Sequence, residues 1–212
     1  GRISGTVEYF YRKTSDMLFW FTTPVSLGYN GYYDNIGDMR NSGIEMSANI
    51  GLYRNENINW NFYVNLTHYT NKITMLPEER KTRTVEGYKG YASGNKFIGE
   101  GLPLNTFLMK KYAGVNENGE SLFYKNIKDS EGNATGRETT TSYSDADYYL
   151  CGTALPDMYG GFGTSVRYKG FDFSIDFAYQ IGGQVYDGDY AGMMGSPSAS
   201  SKGGAFHADL LK

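Results

Sequence analysis

Apolar and polar residues alternate at every second position in five separate segments of the chain. A period of two is typical of β-strands, because successive side chains of a strand point to opposite faces of its sheet. No amphipathic helix of useful length is indicated. The apolar sets of the five segments are Ile3, Gly5, Val7, Tyr9 and Tyr11; Ile44, Met46, Ala48, Ile50 and Leu52; Trp60, Phe62, Val64 and Leu66; Phe162, Thr164, Val166 and Tyr168; and Phe171, Phe173, Ile175, Phe177 and Tyr179.

Two further segments have a weaker strand pattern, at residues 97–115 and 120–127. The first contains Pro103, which cannot donate to a strand ladder, so its first half is expected to be loop or bulge. With these two, the pattern predicts about seven strands in an all-β, antiparallel meander.

The connections between the predicted strands alternate strictly in length. Every second connection then emerges on the same side of the sheet, which is typical of outer-membrane barrels with tight periplasmic turns and large outer loops. A sandwich would mix the lengths more evenly. The long connections are residues 13–39, 71–96, 128–159 and 182 onward, and the short ones are residues 54–57, 116–119 and 169–170.

Alternation by itself fits a soluble β-sandwich as well as a membrane barrel, and two features favour the barrel. The polar faces carry charged and amide side chains suited to a wet lumen, and the apolar faces place aromatic residues near the strand ends, where an interfacial girdle would lie. The polar residues are Glu8, Arg12, Glu45, Asn61, Asn65, Asp172 and Asp176, and the aromatic ones are Tyr9, Tyr11, Trp60, Tyr168, Phe171 and Tyr179.

Composition supports the all-β prediction and argues against nucleic-acid binding, an internal disulfide and a zinc site. The 212 residues include 20 Tyr, 12 Phe and 28 Gly, which favour pleated strands and turns. The net charge is −3, and no basic cluster supports nucleic-acid binding. A single cysteine and two distant histidines provide neither a disulfide nor a zinc site.

An ordered set of short motifs extends along the chain. In this order and spacing the motifs resemble the C-terminal part of SusC-like TonB-dependent transporters of Bacteroides-type bacteria. The resemblance covers nearly the whole chain; each motif is weak alone, and the ordered set is specific. The motifs are Asn41-Ser42-Gly43-Ile44-Glu45, Trp60, Asn71-Lys72-Ile73, Tyr112-Ala113-Gly114-Val115-Asn116, Gly119, Leu122-Phe123-Tyr124, Gly152, Pro156, Tyr159-Gly160-Gly161-Phe162 and Tyr168-Lys169-Gly170-Phe171-Asp172-Phe173-Ser174.

The resemblance implies a 22-stranded barrel that contains a plug and lies in the outer membrane of a Gram-negative bacterium of the Bacteroidetes type. It also implies a SusD-like surface lipoprotein as a lid, energy from TonB-ExbB-ExbD through an N-terminal part, and import of oligosaccharides or peptides. Residues 1–212 are expected to be a segment of the barrel wall, embedded in outer-membrane lipid. Plug, TonB box and closing strand are not recognised in them.

The first long connection holds the candidate ligand-binding residues. Aromatic side chains at the outer mouth of a barrel could stack on sugar rings or grip a peptide, or could pack under the lid protein. The alternative is that they pack the loop onto itself or onto neighbouring loops, which is the commoner role of aromatic residues. The candidates are Trp20, Phe21, Tyr29, Tyr32 and Tyr33.

Other possible sites have simpler interpretations. Residues 129–133 loosely resemble a calcium loop but lack its distal glutamate, and are interpreted as an acidic turn. Asp172 and Asp176 are about 13 Å apart on one strand, too far for paired acid and base catalysis. Lys169-Gly170 is interpreted as a hairpin loop in which the glycine takes positive φ.

Neither a catalytic constellation nor a cofactor site is recognised, and we expect no enzyme. Two alternatives to the importer stay open at this point. One is a soluble all-β surface module that binds glycans, and the other is a β-rich hydrolase, for which no set of catalytic residues is found.

Overall fold

The computed structural model describes residues 2–35, 37–132, 134–194 and 208–211. Every pair of neighbouring strands in these ranges is antiparallel, which confirms the predicted fold class. The strands are β1 (Ile3–Thr14), β2 (Leu18–Thr22), β3 (Gly31–Asn35), β4 (Asp38–Arg54), β5 (Ile58–Met75), β6 (Arg83–Val85), β7 (Tyr88–Ser93), β8 (Lys96–Gly99), β9 (Thr106–Lys110), β10 (Tyr112–Val115), β11 (Ser121–Lys128), β12 (Ala134–Thr140), β13 (Tyr148–Thr153), β14 (Met158–Tyr168) and β15 (Phe171–Ile181).

Helices are short and few in the described ranges. The α-helix is α1 (Gly188–Met193), and 3-10 turns occupy Val25–Leu27, Glu78–Arg80 and Ala208–Leu211. Among the described residues, no helix has the length and apolar character that crossing a membrane requires.

The five strongly alternating segments form one sheet, in the order β1-β4-β5-β14-β15. We call it the long sheet. Its neighbours are joined by 12 to 16 opposed residue pairs between β1, β4 and β5, and by 11 pairs at β5-β14 and at β14-β15. The prediction that these segments are strands is confirmed.

The apolar sets of the five strands meet on one face of the long sheet. Across β4, β5, β14 and β15, for example, Ala48 lies opposite Val64, Val64 opposite Phe162, and Phe162 opposite Phe177. The last two rings stack at 5.1 Å. The register therefore aligns the separate alternations into one continuous apolar surface.

This apolar face is uncovered. Phe173 is 62% exposed, Phe177 49% and Ile44 43%, although each is large and hydrophobic. The side chains do not face one another inside a globule, and among the described residues no second layer of strands or helices packs on this face. The arrangement is the one expected if the apolar side chains meet lipid.

The opposite face of the long sheet is polar. Thr6 and Ser47 share a hydrogen bond of 2.8 Å, Arg167 donates to Asp172 at 2.7 Å, and the Tyr63 hydroxyl donates to Asp176. These bonds cross between strands, so the polar face is ordered by its own hydrogen bonds.

Most of the buried core of the chain lies in the connection between β5 and β14, to which β5 itself contributes Ile73. We call this connection, residues 76–157, the insertion. It contains two small sheets, in the orders β13-β9-β8-β7-β6 and β10-β11-β12. Two clusters of buried side chains hold it together: Ile73, Leu76, Tyr91 and Ile98; and Val85, Phe97, Leu102 and Leu108.

The insertion corrects the interpretation of the two weaker segments. Residues 97–115 and 120–127 do contain strands, β8 to β11, but these belong to the small sheets and not to the long sheet. The turn at residues 116–119 therefore lies within the insertion and not beside the turn at residues 55–57. A period of two identifies a strand without indicating which sheet it joins, so the count of about seven wall strands differs from the five observed.

Long and short connections still alternate along the long sheet. Residues 15–37 and 76–157 are long and emerge at one end, which we call the loop end; residues 55–57 and 169–170 are short and lie at the other, the turn end. A binding site is therefore expected at the loop end, because the long connections there can position side chains for a ligand.

The turn at residues 169–170 differs from its predicted conformation. Positive φ falls on Lys169, at 53°, and Gly170 is outside the left-handed region. This is the arrangement of a type II′ turn, which favours glycine at its first central position. The lysine thus occupies the strained position.

Replacing Lys169 with glycine is expected to stabilise the hairpin by about 1 kcal/mol, because the left-handed conformation costs a side-chain-bearing residue roughly 1–2 kcal/mol and glycine returns part of that as chain entropy. The measurement is denaturant unfolding of the refolded protein in detergent. Gly170→Ala is the control and should change little, since its added Cβ meets nothing within 4 Å. A loss of stability in Lys169→Gly would contradict the turn assignment.

Candidate functional site

The candidate site lies at the loop end, where β4 and β5 extend beyond their neighbour β14. Asp38, the first residue of β4, lies opposite Met75 at the end of β5, whereas β14 begins opposite His68. The end of the β4-β5 pair, up to Asp38 and Met75, therefore projects past the end of β14. The insertion packs on this projection.

Backbone hydrogen bonds join the insertion to the projecting part of β5. The amide of Ile73 donates to the carbonyl of Leu102 at 2.9 Å, and the amide of Gly101 donates to the carbonyl of Ile73 at 2.8 Å. Residues 101–102 thus take the place that β14 leaves free. Ile73 is fully buried at this point, whereas residues 58–70 of the same strand are half-buried or exposed.

A buried asparagine fixes the junction. Asn71 donates to Asn41 Oδ1 at 2.7 Å and accepts from the Leu104 amide at 2.7 Å, with only 7% of its surface exposed. A buried amide is costly unless its polar atoms are paired. Asn71 therefore specifies how β4, β5 and the insertion fit together.

The carboxylate of Glu100 also stabilises this junction. The Leu76 amide donates to Glu100 Oε1 at 2.8 Å, and the Lys81 ammonium lies 3.1 Å from that oxygen. The Leu76 hydrogen bond is the largest influence on the Glu100 pKa and, helped by Lys81, holds it below its usual range against the opposing effect of burial.

The predicted ligand-binding residues lie in the first long connection, residues 15–37. The strands β2 and β3 form a hairpin there, with Trp20 opposite Tyr33 and Phe21 opposite Tyr32. Tyr29 lies in the bend between the two strands. Of the side chains that the structure describes, Tyr33 and Tyr29 are more than half exposed, and Tyr32 is 41% exposed.

The hairpin is tethered to the insertion by one arginine. Arg80 donates to Asp34 Oδ2 at 2.5 Å and to the Tyr32 hydroxyl at 3.2 Å, and its side chain is largely buried. The hydrogen bond from Arg80 is the main reason that the pKa of Asp34 lies below its usual value. Tyr32 therefore has a structural contact to a neighbouring loop, while Tyr33 is 67% exposed.

A cleft of about 930 Å³ lies between the two small sheets of the insertion. Two arginines stand on tyrosine rings at its walls: Arg83 is 4.8 Å from the Tyr148 ring centre, and Arg137 is 4.8 Å from that of Tyr149. Sequence reasoning missed this site, because its residues come from three separated segments and form no local motif. A cleft of this size is large enough to hold a ligand.

The remaining sequence candidates have their own local partners. Asp172 is bonded to Arg167, and Asp176 accepts from Tyr63, so the two carboxylates are not a pair. At residues 129–132 the amides of Glu131 and Gly132 donate to Asp129, which forms an acidic turn; position 133 lies outside the described residues. No cluster of metal-ligating side chains occurs in the described part of the chain.

Comparison with known proteins identifies relatives over most of the chain. A TonB-dependent receptor of Formosa agariphila is 30% identical over 192 residues, which cover 88% of this chain and 19% of the relative. The TonB-dependent receptor SusC of Bacteroides thetaiotaomicron is 27% identical over 88% of this chain and 18% of its own length. No protein-family model matches.

Solved structures agree with the sequence relatives. A chain of the RagAB peptide transporter superposes with a TM-score of 0.70 and 28% identity, over 85% of this chain and 19% of that one. A chain of the RagAB peptide importer in its closed-closed state gives a TM-score of 0.69, also at 28% identity.

The fold is thus that of a TonB-dependent receptor barrel, seen over a segment that spans about a fifth of its relatives' length. Over most of its length the chain is homologous to TonB-dependent receptors, SusC among them. The resemblance inferred from the ordered motifs is confirmed.

The stability of the junction at Glu100 is expected to depend on pH. Because the folded pKa is lower than the unfolded value, the ionised carboxylate stabilises the junction at neutral pH, and this contribution disappears as pH falls below about 4. Glu100→Gln is therefore expected to accelerate hydrogen exchange at the Leu76 amide at pH 7, and wild type should approach the variant in acid.

Glu79→Gln is the matched control, because Glu79 lies on the adjacent turn and makes no ion pair in the described structure. Equal protection of Leu76 in Glu100→Gln and wild type at pH 7 would refute the role assigned to Glu100.

Proposed function

We propose that this chain forms part of the wall and outer rim of an outer-membrane, TonB-dependent importer of large nutrients. The observation that carries the proposal is the continuous, uncovered apolar face of the long sheet, backed by a hydrogen-bonded polar face. A soluble glycan-binding module would have to bury such a face, and here the buried clusters lie elsewhere.

The dimensions of the apolar face support a membrane location. It runs along β5 from Ile58 to His68, which is about 33 Å of strand. At the tilt of about 40° usual in such barrels, this corresponds to about 25 Å along the membrane normal, the height of a barrel's apolar band. Tyr53, Trp60 and Tyr168 lie at the turn end of the band, and Tyr9 and Tyr179 at the loop end.

The edges of the long sheet support a closed barrel in the intact protein. Neither the outer edge of β1 nor that of β15 is paired with a described strand. Unpaired backbone groups are not tolerated in lipid, so each edge requires a neighbouring strand of the same wall. We infer that a barrel of the 22-stranded size implied by the resemblance provides them.

The partners and the imported nutrient are proposed from the relatives. SusC and the RagAB chains favour a partnership with a SusD-like lipoprotein over the loop end and with TonB on the inner side. RagAB is described as a peptide importer, so peptides stand beside oligosaccharides as the imported class.

The two faces of β15 provide the test of membrane placement. Phe177 lies in the middle of the apolar band, and its neighbour Ala178 lies at the same depth on the polar face. In the intact receptor, Phe177→Arg is expected to cost about 2–4 kcal/mol and to reduce the folded, heat-modifiable form in outer-membrane fractions. Ala178→Arg should leave that form nearly unchanged. Equal effects of the two substitutions would overturn the proposal.

The hairpin aromatics are proposed to contact the imported nutrient. Trp20→Ala and Tyr33→Ala are each expected to lower uptake by the intact receptor about two- to tenfold, the effect of losing one aromatic contact. Uptake is measured as growth on mixed oligosaccharides or mixed peptides as the carbon source. Val25→Ala, in the same loop and almost fully exposed, is the control. Unchanged growth of both aromatic variants, at equal surface abundance, would assign these residues to packing alone.

A further inference from the structure

The cleft in the insertion lies between two sheet edges. Its walls include β6, the last strand of one small sheet, and β12, the last strand of the other. Within the described residues, no backbone hydrogen bond reaches the outer edge of either strand. Free strand edges are templates on which another extended chain can pair.

The pairing pattern shows which backbone groups face outward on β6. Glu86 and Gly87 form a two-residue turn with positive φ at both positions, so Val85 and Tyr88 are a hydrogen-bonded pair. Bonded and non-bonded pairs alternate in an antiparallel ladder. Thr84, the residue before, therefore directs its N–H and C=O away from its own sheet.

The same reasoning applies to β12. The amide of Asn126 on β11 points away from β12, because it donates to Asp147 Oδ2 at 2.8 Å. Arg137 lies opposite Asn126, so its own N–H and C=O face the outer edge of β12. Small residues line this wall of the cleft and permit close backbone approach: Ala134, Thr135 and Gly136.

The charges of the cleft favour an acidic ligand. Arg83 and Arg137 are positioned on tyrosine rings, and neither forms an ion pair with a described carboxylate. The cleft's Asp147 already accepts from Asn126 and lies 3.5 Å from Lys128. Glu86, on the turn, is the other carboxylate in the lining. Two guanidinium groups thus remain available for bidentate carboxylate binding.

We propose that the cleft binds an extended peptide that carries a carboxylate. The peptide adds a strand to the edge of β12, and its carboxylate is bound by Arg137. Arg83, elsewhere in the lining, adds a second positive charge to the cleft. This deepens the proposed function, on which it rests, by naming a ligand class for the outer part of the importer.

An oligosaccharide fits the cleft less well. Sugar rings bind proteins by stacking on exposed aromatic faces, but Tyr149 is only 1% exposed and Tyr148 is overlaid by Arg83 and Lys110. Sugars also lack the alternating N–H and C=O groups that would satisfy two strand edges. Tyr148 is still 38% exposed, but the two cations above its ring compete with a sugar for that surface.

The test uses the full-length receptor in detergent and a fluorescent peptide of about seven residues, in which valine and threonine alternate around a central glutamate. Binding is followed by anisotropy. A peptide with alternate N-methylated amides and one with glutamine for glutamate should each bind at least tenfold more weakly to the wild-type receptor. The double variant Arg83→Gln and Arg137→Gln should lose binding by at least tenfold.

Lys125→Gln is the matched control, because Lys125 belongs to the same small sheet and does not line the cleft. Equal binding of the N-methylated peptide overturns strand addition, and equal binding by the double arginine variant overturns the carboxylate contact. Full displacement of the peptide by an oligouronide at equal concentration overturns the choice of peptide. Absent peptide binding in a receptor that inserts and imports normally rejects this inference alone, whereas failure to insert rejects the proposed function.

Discussion

The burial of β5 changes midway along the strand, and the rest of the chain is organised around that change. From Ile58 to His68 its apolar side chains are half-buried or exposed, lie outside the buried clusters, and match the height of a lipid band. From Asn71 to Leu76 the same strand enters a conventional buried core with Tyr91 and Ile98. The same strand thus runs from a lipid-facing wall into a protein core. It can do so because its backbone N–H and C=O groups are paired with neighbouring strands in both places.

The junction between these two surroundings depends on polar contacts more than on apolar area. Asn71 and Glu100 are each satisfied from two directions, by side chains and by backbone amides. Buried polar groups of this kind tolerate few alternative partners, so they fix the position of the insertion on the wall. The apolar clusters then supply most of the stability of the insertion itself.

The sequence predicted the long sheet well, because Ile44, Phe173 and their neighbours repeat over enough positions for a period of two to be unambiguous. It did not predict the small sheets, since strands as short as Arg83–Val85 carry almost no periodic signal. It placed positive φ on Gly170 instead of Lys169, because glycine is the default for that conformation. Contacts such as Arg80 with Asp34 join distant loops and leave no trace in local pattern.

Antiparallel strands that cross a membrane leave little conformational freedom at their short turns, so the long connections at the loop end are where changes of sequence are best tolerated. The insertion has its own core at Phe97 and Leu108 and is joined to β5 through a small number of hydrogen bonds near Ile73. Its surface can therefore change without altering the register of the wall. If an importer of this kind selects its nutrients through outer loops, the free edges and the two arginines of the cleft, together with the exposed ring of Tyr33, are where that selection is physically least constrained by the membrane.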